Sequence, residues 1–318
     1  MKFLWHPASM EHDTGAHPES ADRLSCLGPL EITEVEADEN VLSLVHSKDY
    51  IERVRNYSAN SRVLDNDTLL SPGSFKAAVY GANMAIKASA GNDFALMRPP
   101  GHHAYEDHGS GFCLFNNVAI AAKNLSNQGK KVLIFDFDGH QGDGTAAIFG
   151  HDPNVFYCSL HQLPGFPSKG YEHEIGIKEG LGFTMNLSLP PQAGDDILED
   201  ALKIMFPVMK QFNPDIVAVS AGFDAHQMDP LLQLRWTDSA YHLLGKTISK
   251  NFNNIFAVLE GGYNTDVLPQ CIDAFKRGIE GKKFKSRERH TDSEILVWNE
   301  YEIRANNLIN HLRPYWTI

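Results

Sequence analysis

The chain contains 318 residues with a formal net charge of −12, and 42% of them are hydrophobic. This composition is typical of a globular protein with a substantial core. The acidic excess argues against binding of nucleic acid, because phosphate recognition depends on clusters of Lys and Arg. It is compatible with a basic substrate, although acidic surfaces commonly serve only solubility.

No apolar run approaches the ~18 residues that cross a bilayer, and the apolar stretch at the start is too short for a signal peptide. We therefore predict a cytoplasmic protein without a membrane partner. The cysteines are scattered, which indicates reduced thiols and no disulfide framework. These cysteines are Cys26, Cys113, Cys158 and Cys271.

Short apolar runs alternate with amphipathic stretches along the chain, and we predict the runs as strands and the stretches as helices. The runs lack polar alternation, which is typical of strands buried on both faces of a parallel sheet. In chain order the predicted elements are helix Ser74–Ala90, strand Phe94–Met97, helix Asn116–Ser126, strand Lys131–Asp138, strand Val155–His161, strand Phe183–Leu189, helix Asp195–Lys210, strand Asp215–Ser220, helix Asp238–Lys250, strand Asn254–Glu260, helix Val267–Gly278 and helix Trp298–Leu312.

Local signals support two helix starts. Ser71 and Pro72 offer a cap and a first-turn proline for the first predicted helix, and Asp195 and Asp196 place acidic residues in the first turn of another. No linker interrupts the alternation, so we predict one α/β domain over residues 1–318. In open α/β sheets ligands bind beyond the carboxyl ends of the strands, so we expect reactive side chains where the apolar runs stop.

Two adjacent histidines, His102 and His103, follow the strand Phe94–Met97 in a loop rich in Pro and Gly. Such a loop can present two imidazoles to one cavity. Taken alone the pair is a weak signal, because surface or structural histidines are commoner than catalytic ones.

Three carboxylates and a histidine lie where the next predicted strand ends, at Asp136, Asp138, His140 and Asp143. Burial of such groups is costly unless they are paired or bind a metal. Residues two apart share a face of an extended strand, so the first three are expected to point in related directions. Asp and His side chains are ligands that zinc accepts. Helix capping by Asp143 and Thr145 is the alternative, and it leaves Asp136 and Asp138 unexplained.

Two further strand ends carry polar side chains. Asp224 follows the strand Asp215–Ser220 and offers a third metal ligand, which leaves a fourth position open as in catalytic zinc sites. His226 is an additional candidate ligand, although we favour a loop histidine that faces solvent. Tyr263 follows a Gly-Gly pair after the strand Asn254–Glu260, and its hydroxyl can project into a cavity, although a Tyr after a turn usually only packs.

Together these segments resemble the histone deacetylase family, more its class II and bacterial amidohydrolase branches than its class I. Further segments agree in order over about residues 1 to 280. They are His17–Ser20, Arg23-Leu24, Val45–Tyr50, Asp67-Thr68, Ser71–Ser74, Gly111–Cys113 and Ser159–His161. The resemblance implies the arginase/deacetylase-like fold, with a central, mostly parallel sheet of eight strands flanked by helices.

The resemblance also implies roles for individual residues. The metal, zinc or alternatively ferrous iron, would be held by Asp138, His140 and Asp224. The catalytic residues would be His102, His103, Tyr263, Asp136 and Asp143. The substrate tunnel would be lined by Gly111, Phe112, Phe166, Leu231 and Gly262. A structural potassium ion would be bound by Asp136, Asp138, His140, Ser159 and Leu160, in part through backbone carbonyls.

The implied reaction is hydrolysis of an N-acyl amide, in the first place an acetyl amide, of a lysine side chain or a small amine. His103 would take the proton of the attacking water and His102 would act mainly through its charge, an assignment that the sequence leaves open. Three positions depart from the family pattern: Gly139, Gln141 and the segment Ser168-Lys169-Gly170. The last one leaves the shape of the tunnel rim open.

An acetylpolyamine deacetylase on the same scaffold is the first alternative. Leu231 stands where a polyamine-selective relative has an acidic residue, which weakens this reading. Glu11, Glu106 and Asp107 remain candidates for an acidic rim at the tunnel mouth.

Two other functions are less compatible with the motifs. An arginase-like enzyme with two manganese ions would need further carboxylates where Gly142 and His226 stand. A catalytically inactive module that binds acyl-lysine would have lost a metal ligand or Tyr263, and none is missing. The sequence does not define the oligomeric state.

Overall fold

The computed structural model describes residues 1–318, and its centre is one sheet of seven parallel strands. The strands are β1 Phe3–Leu4, β2 Phe94–Ala95, β3 Val132–Asp136, β4 Val155–Gln162, β5 Thr184–Leu189, β6 Ile216–Ala221 and β7 Ile255–Leu259. Their order across the sheet is β1-β2-β7-β6-β3-β4-β5. The α/β class is therefore confirmed, whereas the expected number of eight strands was wrong.

The difference in strand number has a simple origin. All six apolar runs form strands, and the short β1 adds a seventh by pairing Phe3 with Phe94. The eighth strand was implied only by the family resemblance, and no apolar run in the sequence corresponds to it. A two-residue strand such as β1 is too short to show a periodicity.

Helices flank the sheet. They are α1 Asp22–Ser25, α2 Lys48–Ala59, α3 Ser74–Gly91, α4 Asn117–Ser126, α5 Asp143–Phe149, α6 Asp195–Phe212, α7 Asp238–Asn251, α8 Leu268–Ile279 and α9 Ile295–Leu312, with 3-10 turns at Pro7–Met10, Glu39–Leu44 and Lys178–Gly180. All six predicted helices form, with small shifts of their ends. None of the helices combines the length and the hydropathy that a bilayer crossing requires.

The sequence carried a local signal for the N-terminus of two helices, and the structure agrees with one of the two. Asp195 and Asp196 do lie in the first turn of α6. The predicted cap of α3 was wrong, because Gly73 occupies the N-cap position and Pro72 lies before it. The Ser71 hydroxyl instead accepts a hydrogen bond from the backbone of Asp13, at 2.9 Å.

Both faces of the sheet are buried, as the continuous apolar runs predict. In β3, Leu133 and Phe135 pack into a core formed with α6, α7, α8 and α9. The alternate residues Val132 and Ile134 pack into a second core formed with α3 and α4. The one polar side chain of β3 is Asp136, at the carboxyl end of the strand.

The sheet order brings the motifs together. β2, β7, β6 and β3 are adjacent, so the loops that follow their carboxyl ends meet at one edge. These loops carry the paired histidines, Tyr263, Asp224 and the Asp138–His140 segment, respectively. The expectation that reactive residues lie where the apolar runs stop is thus met in the geometry.

A fully buried ionic cluster ties the N-terminal segment to two of these loops. Arg98 donates to both carboxylate oxygens of Glu19, at 2.6 and 2.8 Å, and Arg23 donates to the same carboxylate at 3.2 Å. Arg23 also donates to the carbonyl of Gly262, at 2.7 Å. Burial raises the pKa of Glu19, but Arg98, His12 and Arg23 outweigh it and hold that pKa well below its usual range.

We expect Glu19→Gln to lower the free energy of unfolding at pH 7 by about 3–5 kcal/mol, because it leaves buried guanidinium groups without their anion. The folded pKa of Glu19 lies below its unfolded value of ~4.3, so its stabilisation is present above that pH and is lost as the pH falls through the folded pKa. Urea unfolding of both proteins between pH 7 and about pH 4 measures the difference. The difference in unfolding free energy between the wild type and Glu19→Gln should begin to decrease near pH 4. A difference that increases there would contradict a lowered pKa for Glu19.

Candidate metal centre and active site

Three predicted ligands converge at the edge of the sheet. The ligand atoms of Asp138, His140 and Asp224 lie within 4.8 Å of one another, and all three side chains are buried. Nδ1 of His140 is 3.2 Å from Oδ1 of Asp138 and 3.0 Å from Oδ2 of Asp224. The residues come from the ends of two adjacent strands, β3 and β6.

Backbone amides fix the two carboxylates. Gly261 donates to Oδ2 of Asp138 at 2.7 Å, and Gly139 donates to Oδ1 of Asp224 at 2.7 Å. A Cβ atom at Gly261 would collide with oxygens of both carboxylates, so only glycine allows this approach. The loop after β7 therefore supports a centre whose side chains come from other strands.

The charges of the cluster oppose one another. Burial and the neighbouring Asp138 raise the pKa of Asp224. Burial lowers the pKa of His140, but the two carboxylates outweigh it and raise that pKa to about 10. One imidazole with two carboxylates is a donor set that fits a divalent ion such as zinc, and a bound cation would favour charged carboxylates and a neutral imidazole.

The paired histidines stand beside this centre, with ring centroids 4.0 Å apart. Nδ1 of His102 lies 3.1 Å from Oδ2 of Asp136, and Nδ1 of His103 lies 2.8 Å from Oδ1 of Asp143. Each histidine thus has the carboxylate partner that the family resemblance implies. The hydrogen bond to Nδ1 orients each ring and leaves its Nε2 as the outward atom.

The two rings differ in protonation. Burial lowers the pKa of His102, but Asp138 and Asp136 outweigh it and raise that pKa well above its ordinary value. Burial and the positive charge of His102 together lower the pKa of His103 to about 4. The two pKa values are therefore shifted in opposite directions, which favours the charged form of His102 and the neutral form of His103.

Sequence reasoning missed three polar partners of these groups. The hydroxyl of Tyr157 donates to Oδ2 of Asp136 at 3.0 Å, and that of Tyr105 donates to Oδ2 of Asp143 at 2.7 Å. Oε2 of Glu260 accepts a hydrogen bond from the amide of Gly101, at 2.7 Å. Glu260 had a signal in the sequence, since it is a charged residue that ends an apolar run, whereas the tyrosines had none.

A cavity of about 430 Å³ leads from the surface to the metal centre. Its residues are Asp65, Asn66, Asp67, His103, Gly111, Phe112, His140, Phe166, Leu231 and Tyr263. Four of the five predicted tunnel residues are among them. The aromatic walls are close to two predicted catalytic residues, with ring centroids 4.9 Å apart for Phe166 and His103 and 5.6 Å apart for Phe112 and Tyr263.

Gly111 allows one wall to come this close. Its φ is +53°, and a Cβ atom there would lie 2.6 Å from the ring of His103 and 2.8 Å from that of Phe166. The fifth predicted residue, Gly262, is not part of the lining. Its carbonyl instead accepts from Arg23, so it supports the loop that carries Tyr263.

Tyr263 is held from two sides. Its amide donates to Oδ2 of Asp229 at 2.7 Å, and the guanidinium of Arg23 lies 4.9 Å from the centre of its ring. Tyr263 lines the cavity, and burial raises the pKa of its hydroxyl well above the ordinary value, which favours the protonated form.

The mouth of the cavity is acidic, but not through the residues that the sequence singled out. Asp65 and Asp67 line it, together with Asn66. Glu11, Glu106 and Asp107 are not in the lining, and Glu11 pairs with Lys76 at 2.6 Å. The expectation for those three positions was wrong, because nothing in a sequence shows which surface loop folds over a strand end.

His226 is neither a ligand of the cluster nor a solvent-facing residue, so the reading that we favoured for it was wrong. It is buried, and its Nε2 lies 3.0 Å from Oε2 of Glu288. Glu288 also accepts from the amide of Asp238, at 2.8 Å. His226 therefore links the loop after β6 to the segment before α9.

The residues predicted for a potassium ion are buried together at the end of β3 and within the neighbouring β4. Asp136 of β3 is the register partner of Ser159 of β4. Asp138, His140 and Leu160 are buried beside them. Their carbonyl oxygens have the chemistry that a hard monovalent cation prefers.

Comparison with known proteins agrees with this geometry. The family model described as the histone deacetylase domain matches residues 10–279. A "Probable deacetylase" of Archaeoglobus fulgidus is 34% identical, over 94% of this chain and 91% of its own length. The protein belongs to the histone deacetylase family.

Other relatives extend the agreement. A "Histone deacetylase-like amidohydrolase" of Pseudomonas aeruginosa is 33% identical over 79% of this family member and 70% of its own chain. The crystal structure of the HDA15 HD domain superposes with a TM-score of 0.89, at 27% identity, over 99% of this chain and 94% of its own. With relatives described as deacetylases and amidohydrolases along its length, this family member is a hydrolase.

We expect Asp224→Ala to lose its metal, because it removes one of three protein ligands and leaves a set too small for tight binding. After zinc loading, the zinc content measured by elemental analysis should fall from about one ion per chain in the wild type to well below one in Asp224→Ala. Asp65→Asn, at the cavity mouth, is the matched control and should keep the wild-type content. Stoichiometric zinc in Asp224→Ala would contradict the assignment of the ligand.

Proposed function

We propose that this protein is a zinc-dependent deacylase that hydrolyses an N-acetyl amide and releases acetate and a free amine, such as the side chain of lysine. The observation that carries the proposal is the meeting of four elements at one cavity. These are a two-carboxylate, one-imidazole cluster, two histidines that each contact a carboxylate of their own, and the tyrosine that lines the cavity.

Asp138, His140 and Asp224 would hold the zinc ion. When bound there, zinc supplies a polarised substrate carbonyl and a water with a pKa lowered from 15.7 to about 7. Three protein ligands leave a coordination position for water or substrate, which is the arrangement of catalytic sites. Ferrous iron accepts the same donors and is the alternative ion.

His103 is suited to the role of general base. It is neutral, its Nδ1 is engaged by Asp143, and its ring lies in the lining of the cavity. Its Nε2 can therefore accept the proton of the attacking water and later donate it to the leaving amine. His102, which is charged and lies 3.9 Å from Asp138, would stabilise the negative charge that develops.

Tyr263 would donate its hydroxyl to the oxygen of the substrate as that oxygen becomes negative. Phe112 and Phe166 would enclose the aliphatic chain that carries the amide, in the tunnel that Gly111 makes narrow. Water is thereby kept from all but the reacting end of the substrate, which strengthens each of these interactions. A buried potassium ion at Asp136 and Ser159 would stabilise the strand ends behind the histidines.

We expect Tyr263→Phe to lower kcat by about 10²–10³, because it removes one donor to the developing oxyanion. The thermal midpoint and the zinc content should stay at wild-type values, since Tyr263 lines the cavity and its hydroxyl makes no hydrogen bond within the protein. Acetate release from an acetyl-lysine peptide measures the effect. Turnover like that of the wild type would rule out this role for Tyr263.

An acetylpolyamine substrate is a second candidate, and the acidic cavity mouth favours it. Asp65 and Asp67 form no ion pair with a cation of the protein, so they can attract a second ammonium group of a substrate. Leu231 lines the same mouth and offers no such charge.

The double variant Asp65→Asn/Asp67→Asn separates the two substrate classes. If polyamines are substrates, kcat/KM for N-acetylputrescine should fall about tenfold in the double variant, because each surface charge contributes up to about 1 kcal/mol to binding of the second ammonium group. The kcat/KM for a neutral acetyl-lysine peptide should change little. Glu106→Gln, an exposed carboxylate outside the lining, is the matched control. An equal loss for both substrates would argue against a charge-selective mouth.

A further inference from the structure

A second cavity lies on the far side of the pair formed by His103 and Asp143. It has a volume of about 460 Å³, and Tyr105, Asp143 and Lys169 are among its lining residues. His103 lines the catalytic cavity instead. The side chains of His103 and Asp143 therefore span the wall between the two cavities.

A continuous chain of polar contacts crosses this wall. Nδ1 of His103 lies 2.8 Å from Oδ1 of Asp143, and the hydroxyl of Tyr105 donates to Oδ2 of the same carboxylate at 2.7 Å. Nζ of Lys169 donates to the hydroxyl of Tyr105 at 2.6 Å and lies 3.6 Å from Oδ2 of Asp143. The two oxygens of Asp143 are thus engaged from opposite sides.

This arrangement restricts the carboxylate of Asp143. A carboxylate held at one oxygen can still turn about its Cβ–Cγ bond, whereas one held at both oxygens cannot. The amide of Gly144 also donates to Oδ1, at 3.1 Å, which fixes the oxygen that faces His103. Because Asp143 cannot turn, the arrangement favours the tautomer of His103 in which Nδ1–H donates to Asp143 and Nε2 is free to face the substrate.

Lys169 and Tyr105 are themselves held in place. The ring of Tyr105 stacks on that of His108, with centroids 4.2 Å apart, and Nζ of Lys169 lies 5.0 Å from the centre of the Tyr105 ring. Gly170, the residue after Lys169, donates its amide to Glu174 at 3.1 Å, and its carbonyl lies 3.0 Å from Nε2 of His161. The backbone that carries Lys169 is therefore anchored at the next residue.

The other histidine has no such link to solvent. Asp136, the partner of His102, is held by Tyr157, which is fully buried, and no lysine lies within ion-pair distance of it. Tyr105 is only half-buried, and Lys169 is exposed. The contrast assigns the Tyr105–Lys169 pair to His103 alone.

We propose that Tyr105 and Lys169 are positioning residues that act through Asp143 to hold His103 in the tautomer and orientation of a general base. The inference rests on the proposed deacylase function for its kinetic test only. The orientation of His103 can also be measured without turnover.

The kinetic test compares Tyr105→Phe, Lys169→Met and Lys169→Arg with the wild type. Loss of a hydrogen bond to a charged group predicts a fall in kcat of about tenfold for Tyr105→Phe, and a smaller fall of about threefold for Lys169→Met, because its partner is partly exposed. KM and zinc content should stay within about twofold, since neither residue lines the catalytic cavity. Lys169→Arg keeps the cation and should recover most of the activity lost in Lys169→Met.

The matched control is Tyr171→Phe, which removes the hydroxyl of an exposed tyrosine that takes no part in the contact chain. It should retain wild-type kcat. A fall in Tyr171→Phe equal to that in Tyr105→Phe, or a wild-type kcat in Tyr105→Phe, would overturn the proposal.

The second test is proton NMR of the zinc-loaded protein. The Nδ1 proton of His103, bonded to a buried carboxylate, should give a downfield signal, assigned by its loss in His103→Ala. In Tyr105→Phe this signal should broaden and exchange with solvent at least several times faster, while the Nδ1 signal of His102 is unchanged. A His103 signal that is unchanged in Tyr105→Phe would overturn the positioning role, whether or not any amide is hydrolysed. If the Nδ1 proton of His103 exchanges faster in Tyr105→Phe but no tested amide is hydrolysed, the positioning role is supported and the proposed deacylase function is contradicted.

Discussion

The burial of carboxylates at the carboxyl edge of the sheet is the constraint on which the rest of the structure depends. Asp136, Asp138, Asp224 and Glu260 are each fully buried within a few residues of a strand end. An unpaired buried charge is far too costly to persist, so each one must be met by a cation or by several hydrogen bonds. The loops around the site are arranged to provide these partners.

Backbone amides donate many of the hydrogen bonds that these carboxylates accept. Amides of Gly101, Gly139 and Gly261 donate to three of the four carboxylates, each at 2.7 Å, so three different loops depend on side chains from other strands. His102 supplies positive charge beside Asp136 and Asp138. A divalent ion at Asp138, His140 and Asp224 would complete the balance, since the amides alone leave two adjacent carboxylates facing one another.

Much of the fold could be predicted because the buried strands are apolar throughout. The run Lys131–Asp138 was predicted as a strand, and its central residues Val132–Asp136 form β3. β1 could not be found, because two residues have no periodicity. α2 does carry an apolar stripe, at Tyr50, Ile51 and Val54, so the sequence held a signal for it that was not used. α5 begins at Asp143 and has only seven residues, too few to show such a stripe.

Some residues of the candidate site could likewise be predicted from the sequence, and others could not. Its ligands and histidines stand at strand ends and are close in sequence to apolar runs, so their meeting follows from the parallel sheet. Their partners are distant in sequence, as Tyr105 and Lys169 are from Asp143, and only the folded chain brings them together. The acidic mouth belongs to this second group, because Asp65 and Asp67 lie on a surface loop whose course no local pattern specifies.

The central claim is that a single metal ion at this centre supports hydrolysis of an acetyl amide. It is tested most directly by stripping the protein of metal and measuring acetate release from an acetyl-lysine peptide and from N-acetylputrescine as zinc is added back. We predict no acetate release without metal, and a rate of acetate release that increases with added zinc and saturates at about one zinc per chain for at least one of the two substrates. Full zinc occupancy without release from either, or activity that requires two metal ions per chain, would contradict it.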